Sequence, residues 1–214
     1  MESKVFYKTW WFWLIYTAVS IMLVGTALNM LNSSKTASFN GQTTAHTNGK
    51  INNNSLTFNG AKIKINDHRI YKLNFMDDSW TPTKVAITEA KILKLDTFKN
   101  ENGKPSEANG MVILHLVITP SRDIKTFPGQ GTLSTNISSE TKGILTGISE
   151  FKTNWGGAIE KSVKKEGDLI FPIKNISKVS DITKIKLQFD ADYDTSDNAD
   201  EDYTHNYDIN LNLT

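Results

Sequence analysis

Hydrophobic positions are distributed along this chain in two unlike ways. No charged residue falls between Lys8 and Lys35, and Trp10 to Leu28 (WWFWLIYTAVSIMLVGTAL) is almost unbroken apolar sequence. From Leu56 onward, apolar and polar residues instead alternate in short runs, the period of strands with one buried face. Leu56 and Phe58 lead into Asn59-Gly60, a two-residue hairpin signal, and Ala61, Ile63 and Ile65 continue one face beyond it. Tyr71 to Phe75 alternates likewise. Val85 to Leu95 changes phase, from odd apolar positions (Val85, Ile87) to even ones (Ala90, Ile92), which predicts a bulge near Thr88–Glu89.

Met111 to Ile118 (MVILHLVI) is apolar nearly throughout, so it predicts a central strand buried on both faces and ended by Pro120. Further strands are expected at 131–136, 168–173, 184–189 and 207–213, with 100–110 as a polar loop. The segment 147–163 follows neither period, and Gly156-Gly157 interrupts it. No stretch after the apolar run carries a helical period. Seven to nine short strands separated by turn signals predict an all-β fold, an antiparallel β-sandwich over 56–214.

The front of the chain places this domain. At 1.5 Å per residue, Trp10 to Leu28 would make a helix of roughly 28 Å, the thickness of a bilayer's hydrocarbon core. A soluble core helix should show polar residues at a 3.6 period, and here Thr17 and Ser20 are the clear interruptions. A cleaved signal peptide has a shorter apolar run and a small-residue cleavage site, for which Ala27-Leu28-Asn29 is a poor match. The tryptophans at 10, 11 and 13 suit an interfacial aromatic belt. The expectation is a cytoplasmic N-terminus over 1–8, a transmembrane helix over 9–31 and a flexible polar linker over 32–55. Lys4 and Lys8 before the run, against Lys35 after it, set the N-terminus inside and the C-terminal domain outside, in a single-pass membrane protein.

Composition narrows the chemistry. With no cysteine, disulfides, thiolate metal sites and cysteine nucleophiles are excluded. The formal net charge of +1 hides an asymmetry: the residues after Phe189 include eight acids and no lysine or arginine. No strong basic field points to nucleic acid as a partner.

The strongest local motif lies in that acidic tail. Counted from Asp190, acids fall at positions 1, 3, 5 and 12 (Asp190, Asp192, Asp194, Glu201), the oxygen-ligand spacing of a calcium loop. Thr195 occupies the position where such a loop needs glycine, and the flanks read as strands, so a solvated acidic hairpin accounts for the same residues. Calcium is the one cofactor the sequence suggests. His46, His68, His115 and His205 fall in the linker, a turn, a core strand and the acidic loop, and no metalloprotease, nucleophile-elbow or phosphate-loop motif occurs. His115 reads as a hydrogen-bonded core residue rather than a ligand. Asp67-His68 beside a serine from elsewhere is the one enzymatic constellation to test, so the sequence points away from an enzyme. Lys161, Lys164 and Lys165 could meet anionic wall polymer, and Trp80 and Trp155 could form ligand platforms if exposed.

Several segments together resemble a known family. The tryptophan-rich KTWWFWLIYTAVSIML, the NSLTF and KIKI of the first hairpin, the central MVILHLVITPSRDI, and the PGQGTLSTN and VKKEGDLIFPI segments resemble small membrane-anchored proteins of Firmicutes such as lactobacilli, with an immunoglobulin-like, telokin-like domain of unknown function. The resemblance runs from Asn54 to the C-terminus. It implies an extracytoplasmic immunoglobulin-like β-sandwich and carries no catalytic residues. A lipobox cysteine is lacking here, so the helix itself would be the anchor, and the acidic insertion before the last strand departs from the family. The expected role is a non-catalytic binding or interaction module at the outer face of a Gram-positive membrane, its partner a cell-wall polymer or another envelope protein. An envelope hydrolase and a passive structural or stress-related component are the alternatives.

Overall fold

The structure is a computed structural model that describes residues 44–46, 54–81, 83–98, 106–143, 148, 151, 155, 157–193 and 203–213. The expected transmembrane helix lies outside these residues. Among the described residues, no helix is long and apolar enough to cross a membrane.

The alternating runs become strands, and every strand pair is antiparallel. β2 (Ser55–Phe58) and β3 (Ala61–Asp77) form the first hairpin, with Phe58 opposite Ala61. Asn59 and Gly60 both take positive φ, 49° and 78°, the requirement of the tight turn that matches strand twist. β4 (Thr83–Leu95) follows, and its register against β5 (Ala108–Pro120) shifts between Ile87 and Glu89. The bulge read from the phase change is therefore present. β10 (Lys165–Lys174) closes this first sheet against β5, and β1 (Thr44–His46) lies on β3 opposite Ile70–Lys72.

The second sheet is built on β11 (Lys184–Tyr193). β12 (Thr204–Asn212) runs along one edge of it. The other edge is shared by β7 (Thr132–Thr135), opposite Ile185–Gln188, and β6 (Ile124–Thr126), opposite Ala191–Tyr193. A single 3₁₀ turn, Pro128–Gln130, separates β6 from β7. β8 (Thr141–Lys142) extends β7, and β9 (Ala158–Ile159) extends β6.

The two sheets share one large core. Ile92, Val112, Leu114 and Phe171 of the first sheet meet Leu133, Leu187, Phe189 and Ile209 of the second, all buried. This is a β-sandwich. The residues between them on β4, β5 and β10 (Leu93, Met111, Ile113, Ile170) face the other way, into a second cluster with Leu56, Phe58, Ile63 and Phe98. The first half of the MVILHLVI run, Met111 to Leu114, is thus buried on both faces as its composition predicts, whereas in the second half His115 and Val117 are only partly buried.

Four details differ from the expectation. Ala61–Asp77 is one strand rather than two, because the polar residues between its apolar runs are accommodated in place: the register shifts after Ile65, Asn66 Nδ2 donates to Asp96 Oδ1 at 2.6 Å, and Asp67 Oδ1 accepts from the His68 amide. His68 therefore lies in a strand, not a turn. β5 begins at Ala108, inside the expected loop, where the Asn109 side chain brackets both backbone groups of Ile176. Gly110 is required there, since a Cβ would approach Ile176 Cγ2 to 2.7 Å. β11 continues to Tyr193, taking in the start of the acidic motif, and His205 lies in β12. Within the expected linker, Thr44–His46, including His46, pairs with β3, and Ser55 opens β2.

Candidate functional site

Three groupings of chemically capable side chains occur on this framework. The first caps one end of the large core. Trp80, in the connection between β3 and β4, stacks on Tyr193 at 5.1 Å and on His205 at 5.8 Å. His205 meets Tyr207 edge-on, Tyr207 stacks on Phe189, and the Arg122 guanidinium lies 3.4 Å over the Tyr193 ring. Trp80 is 3 % exposed, so it plugs the sandwich instead of offering a platform. Trp155 is buried too, its Nε1 donating to the Asp168 carbonyl at 3.2 Å.

At the rim of this plug, Ser79 Oγ lies 3.3 Å from His205 Nε2, resembling half of a nucleophile–base pair. Asp77, however, accepts from the Ser79 hydroxyl at 2.6 Å. In a hydrolytic triad the carboxylate orients the far nitrogen of the imidazole, leaving the hydroxyl proton for the base. Here the carboxylate holds the hydroxyl proton itself. The Asp67-His68 pair is no better arranged, since Asp67 accepts from the His68 backbone amide.

The second grouping crosses the first sheet. Glu89, His115 and Asp168 stand in register on β4, β5 and β10, with His115 Nδ1 2.9 Å from Asp168 Oδ1. Partial burial works against ionisation of Glu89, but hydrogen bonds and charge from Lys72 and Lys91 prevail and hold its carboxyl below the ordinary value. His115 is hydrogen-bonded as its context predicts, but it is partly exposed on the sheet face rather than in the core. Each member of the row is engaged by a neighbour.

The third grouping lies on the outer face of the second sheet. Where the Pro128–Gln130 turn lifts the edge away from β11, a hollow of about 530 Å³ opens, lined by Lys125, Phe127, Gln130, Glu140, Gln188 and Asp190 among others. Asp192 and Asn206 line it as well. Its floor is fixed by close fits: Thr126 Oγ1 donates to the Asp190 carbonyl at 2.7 Å, and Asn206 Nδ2 donates to Asp190 Oδ1 at 2.6 Å. A Cβ on Gly131 would collide with the Gln188 carbonyl oxygen, so glycine alone suits that wall. Phe127 is 38 % exposed at the edge of the hollow, beside Gly157.

Of the calcium-motif residues, Asp190 and Asp192 project from β11 toward this hollow, while Asp194 and Glu201 lie outside the described residues. Among the described residues, no group of three or more acids or histidines is placed to hold a metal. Of the lysine cluster, Lys164 pairs with Glu166 at 2.7 Å, and the backbone amide of Lys161 donates to Asp123 Oδ1. Sequence reasoning missed Phe127, Gln130, Gln188 and Asn206. The available signal was an unpaired phenylalanine next to Pro128-Gly129, between two runs destined for the same strand edge.

No protein-family model and no curated protein matches the chain. Among solved structures, the chain is similar to a functionally unknown protein from Listeria monocytogenes EGD-e, at 14% identity and a TM-score of 0.49, covering 73% of this chain and 90% of that one.

Proposed function

We propose that the sandwich is an immunoglobulin-like, non-catalytic binding module, held at the outer face of a Gram-positive cell membrane by a helix over 9–31. The observation that carries the binding role is the hollow on β11, where a half-exposed phenylalanine stands among carboxamides and carboxylates on a rigid sheet. Apolar and polar groups in one shallow, pre-formed site suit recognition of a ligand on a surface. The uncharged run between Lys8 and Lys35, with two lysines before it, supports the tether and its orientation.

A hydrolase is the second reading, and the proximity of Ser79 to His205 is what favours it. The binding module is preferred because Asp77 occupies the hydroxyl proton that a catalytic histidine must take.

The test has two arms. In protoplasts of a Gram-positive host making the full chain with a C-terminal tag, externally added protease should remove the tag. Full-length chain in detergent should co-sediment with purified cell envelopes, and Phe127→Ala should reduce the retained fraction. A tag protected from protease overturns the topology, and absence of envelope retention overturns the binding role. Ester or glycosidic hydrolysis lost on Ser79→Ala would install the second reading.

A further inference from the structure

We infer that the hollow on β11 binds an uncharged oligosaccharide, an assignment that rests on the binding-module reading and names its ligand class. Four features of the site converge on that chemistry. Gln130, Gln188 and Asn206 present carboxamides beside acceptor-only carboxylates; Gln188 and Asn206 each give one N–H to Asp208 and Asp190, which leaves each a second N–H and its carbonyl oxygen. A hydroxyl also donates and accepts, so a polyol satisfies this mixed set, whereas a ligand bearing only acceptors leaves the carboxylates facing them.

The second feature is Phe127. It is one of three large hydrophobic side chains exposed among the described residues, and the one that stands in a polar hollow. Its ring offers an apolar surface on which the C–H face of a sugar ring packs while the hydroxyls turn toward the amides. Gly157, at φ +60°, faces that ring with no side chain to cover it.

Charge supplies the third. Glu140, Asp190 and Asp192 line the hollow against Lys125, and this excess of negative charge repels a phosphate-bearing polymer or a nucleic acid.

The fourth concerns what the strand edge withholds. An extended peptide joins a sheet through unpaired backbone groups. Between Gln188 and Ala191, β11 is unpaired on this edge, yet the Asp190 carbonyl is taken by Thr126 and the backbone of Gly131 crowds the Gln188 carbonyl. Strand addition is closed there.

The site also has length. A second hollow of about 400 Å³, lined by Ser134, Lys186, Asn210 and Asn212 among others, lies farther along the same face of β11. From Lys184 to Asp192 the strand extends roughly 26 Å at about 3.3 Å per residue, enough for several linked sugars.

The test is titration of the full-length chain in detergent with cellohexaose, N-acetylchitohexaose and polyglycerol phosphate, by calorimetry. At least one neutral hexasaccharide should bind, and polyglycerol phosphate should not. Phe127→Ala and Gln130→Ala should each weaken binding about tenfold, with circular dichroism and melting unchanged, and Met76→Ala, at an exposed position outside the hollow, should leave it intact. Absence of binding by both neutral hexasaccharides, equal binding by both hollow variants, or preference for the polyanion would overturn the inference. If any of these results comes with envelope retention that Phe127→Ala still reduces, the sugar assignment fails and the binding module stands. If retention fails as well, both fall.

Discussion

The ring of Tyr207 stacks on Phe189 with centroids 4.7 Å apart, but its buried hydroxyl reaches no hydrogen-bond partner in good geometry, and neither does that of the adjacent Thr83. A buried hydroxyl without a partner costs about 1–3 kcal/mol of lost hydration. Tyr207→Phe keeps the stack and removes that cost, so urea unfolding should show stability unchanged or raised by about 1 kcal/mol. A loss larger than that would mean that the hydroxyl is bonded, for instance to a buried water. The same residue sets an alkaline signature. Burial pushes the Tyr207 phenol well above the ordinary value of 10.0, Asp77 adds to the shift and the nearby Thr83 hydroxyl offsets part of it; burial also raises Tyr71, opposed by Arg69. Both hold their protons to higher pH in the folded state than in the unfolded chain, which ionises near pH 10. Their contribution is therefore complete below about pH 10 and is lost as pH rises beyond it. The melting midpoint should fall above pH 10, less steeply in Tyr207→Phe. That Tyr207 is buried is legible in the alternation of its strand. Its orphaned hydroxyl is not, because the groups around it come from distant strands and none meets it in good geometry.

Side-chain amides shape the elements as much as hydrophobic periodicity does. Asn136 Nδ2 donates to the Asp181 carbonyl, and its Oδ1 accepts from the amides of Thr183 and Lys184, tying the end of β7 to the start of β11. Asn136→Ala should cost about 1–3 kcal/mol in urea unfolding, and Asn136→Asp, which keeps the acceptor, distinctly less. Equal costs would show that the acceptor contributes nothing. The Asn136-Ile-Ser138 sequence is thus a structural clamp, and modification of its nitrogen would break it. Such clamps explain which parts of the fold can be read in advance. β2, β4, β11 and β12 are legible from period two alone, and the β4 bulge from one phase slip. The start of β5 and the continuity of β3 depend on Asn109 and Asn66 meeting groups far away in sequence, so their local polarity suggests loops. The acidic motif begins on a strand rather than in the loop that its composition suggests. Asp190 and Asp192 lie on an extended strand, and Asn206 already binds Asp190, which opposes the inward curl a calcium loop needs. The melting midpoint should accordingly rise no more in millimolar Ca²⁺ than in Na⁺ at matched ionic strength. A larger, saturable Ca²⁺ effect lost on Asp192→Asn would contradict this.

At the scale of the molecule, the first sheet belongs to two cores at once. Val112 and Leu114 of β5 point into the large core, while Met111 and Ile113, alternating with them, point into the smaller one. The smaller core is roofed by the β2–β3 hairpin, where Phe58 meets the edge of Phe98 at 5.8 Å. Two outcomes follow from different degrees of coupling. If the hairpin opens alone, the small core is a local unit whose loss spares the sandwich. If β5 transmits the loss, both cores unfold together. The second is expected, because β3 is a single strand that leaves the small core at Ile65 and enters the large one at Tyr71 without a break. A chain with no cysteine has no disulfide to hold either core independently, so packing continuity alone decides the question. Phe58→Ala should cost about 3–5 kcal/mol. Native-state hydrogen exchange reads where that cost falls. The slow amide of Leu114, whose side chain is in the large core, should lose as much protection as that of Leu56, and the variant should melt in one transition. Loss of protection at Leu56 with Leu114 unchanged would show that the hairpin is a separable lid on an independent sandwich.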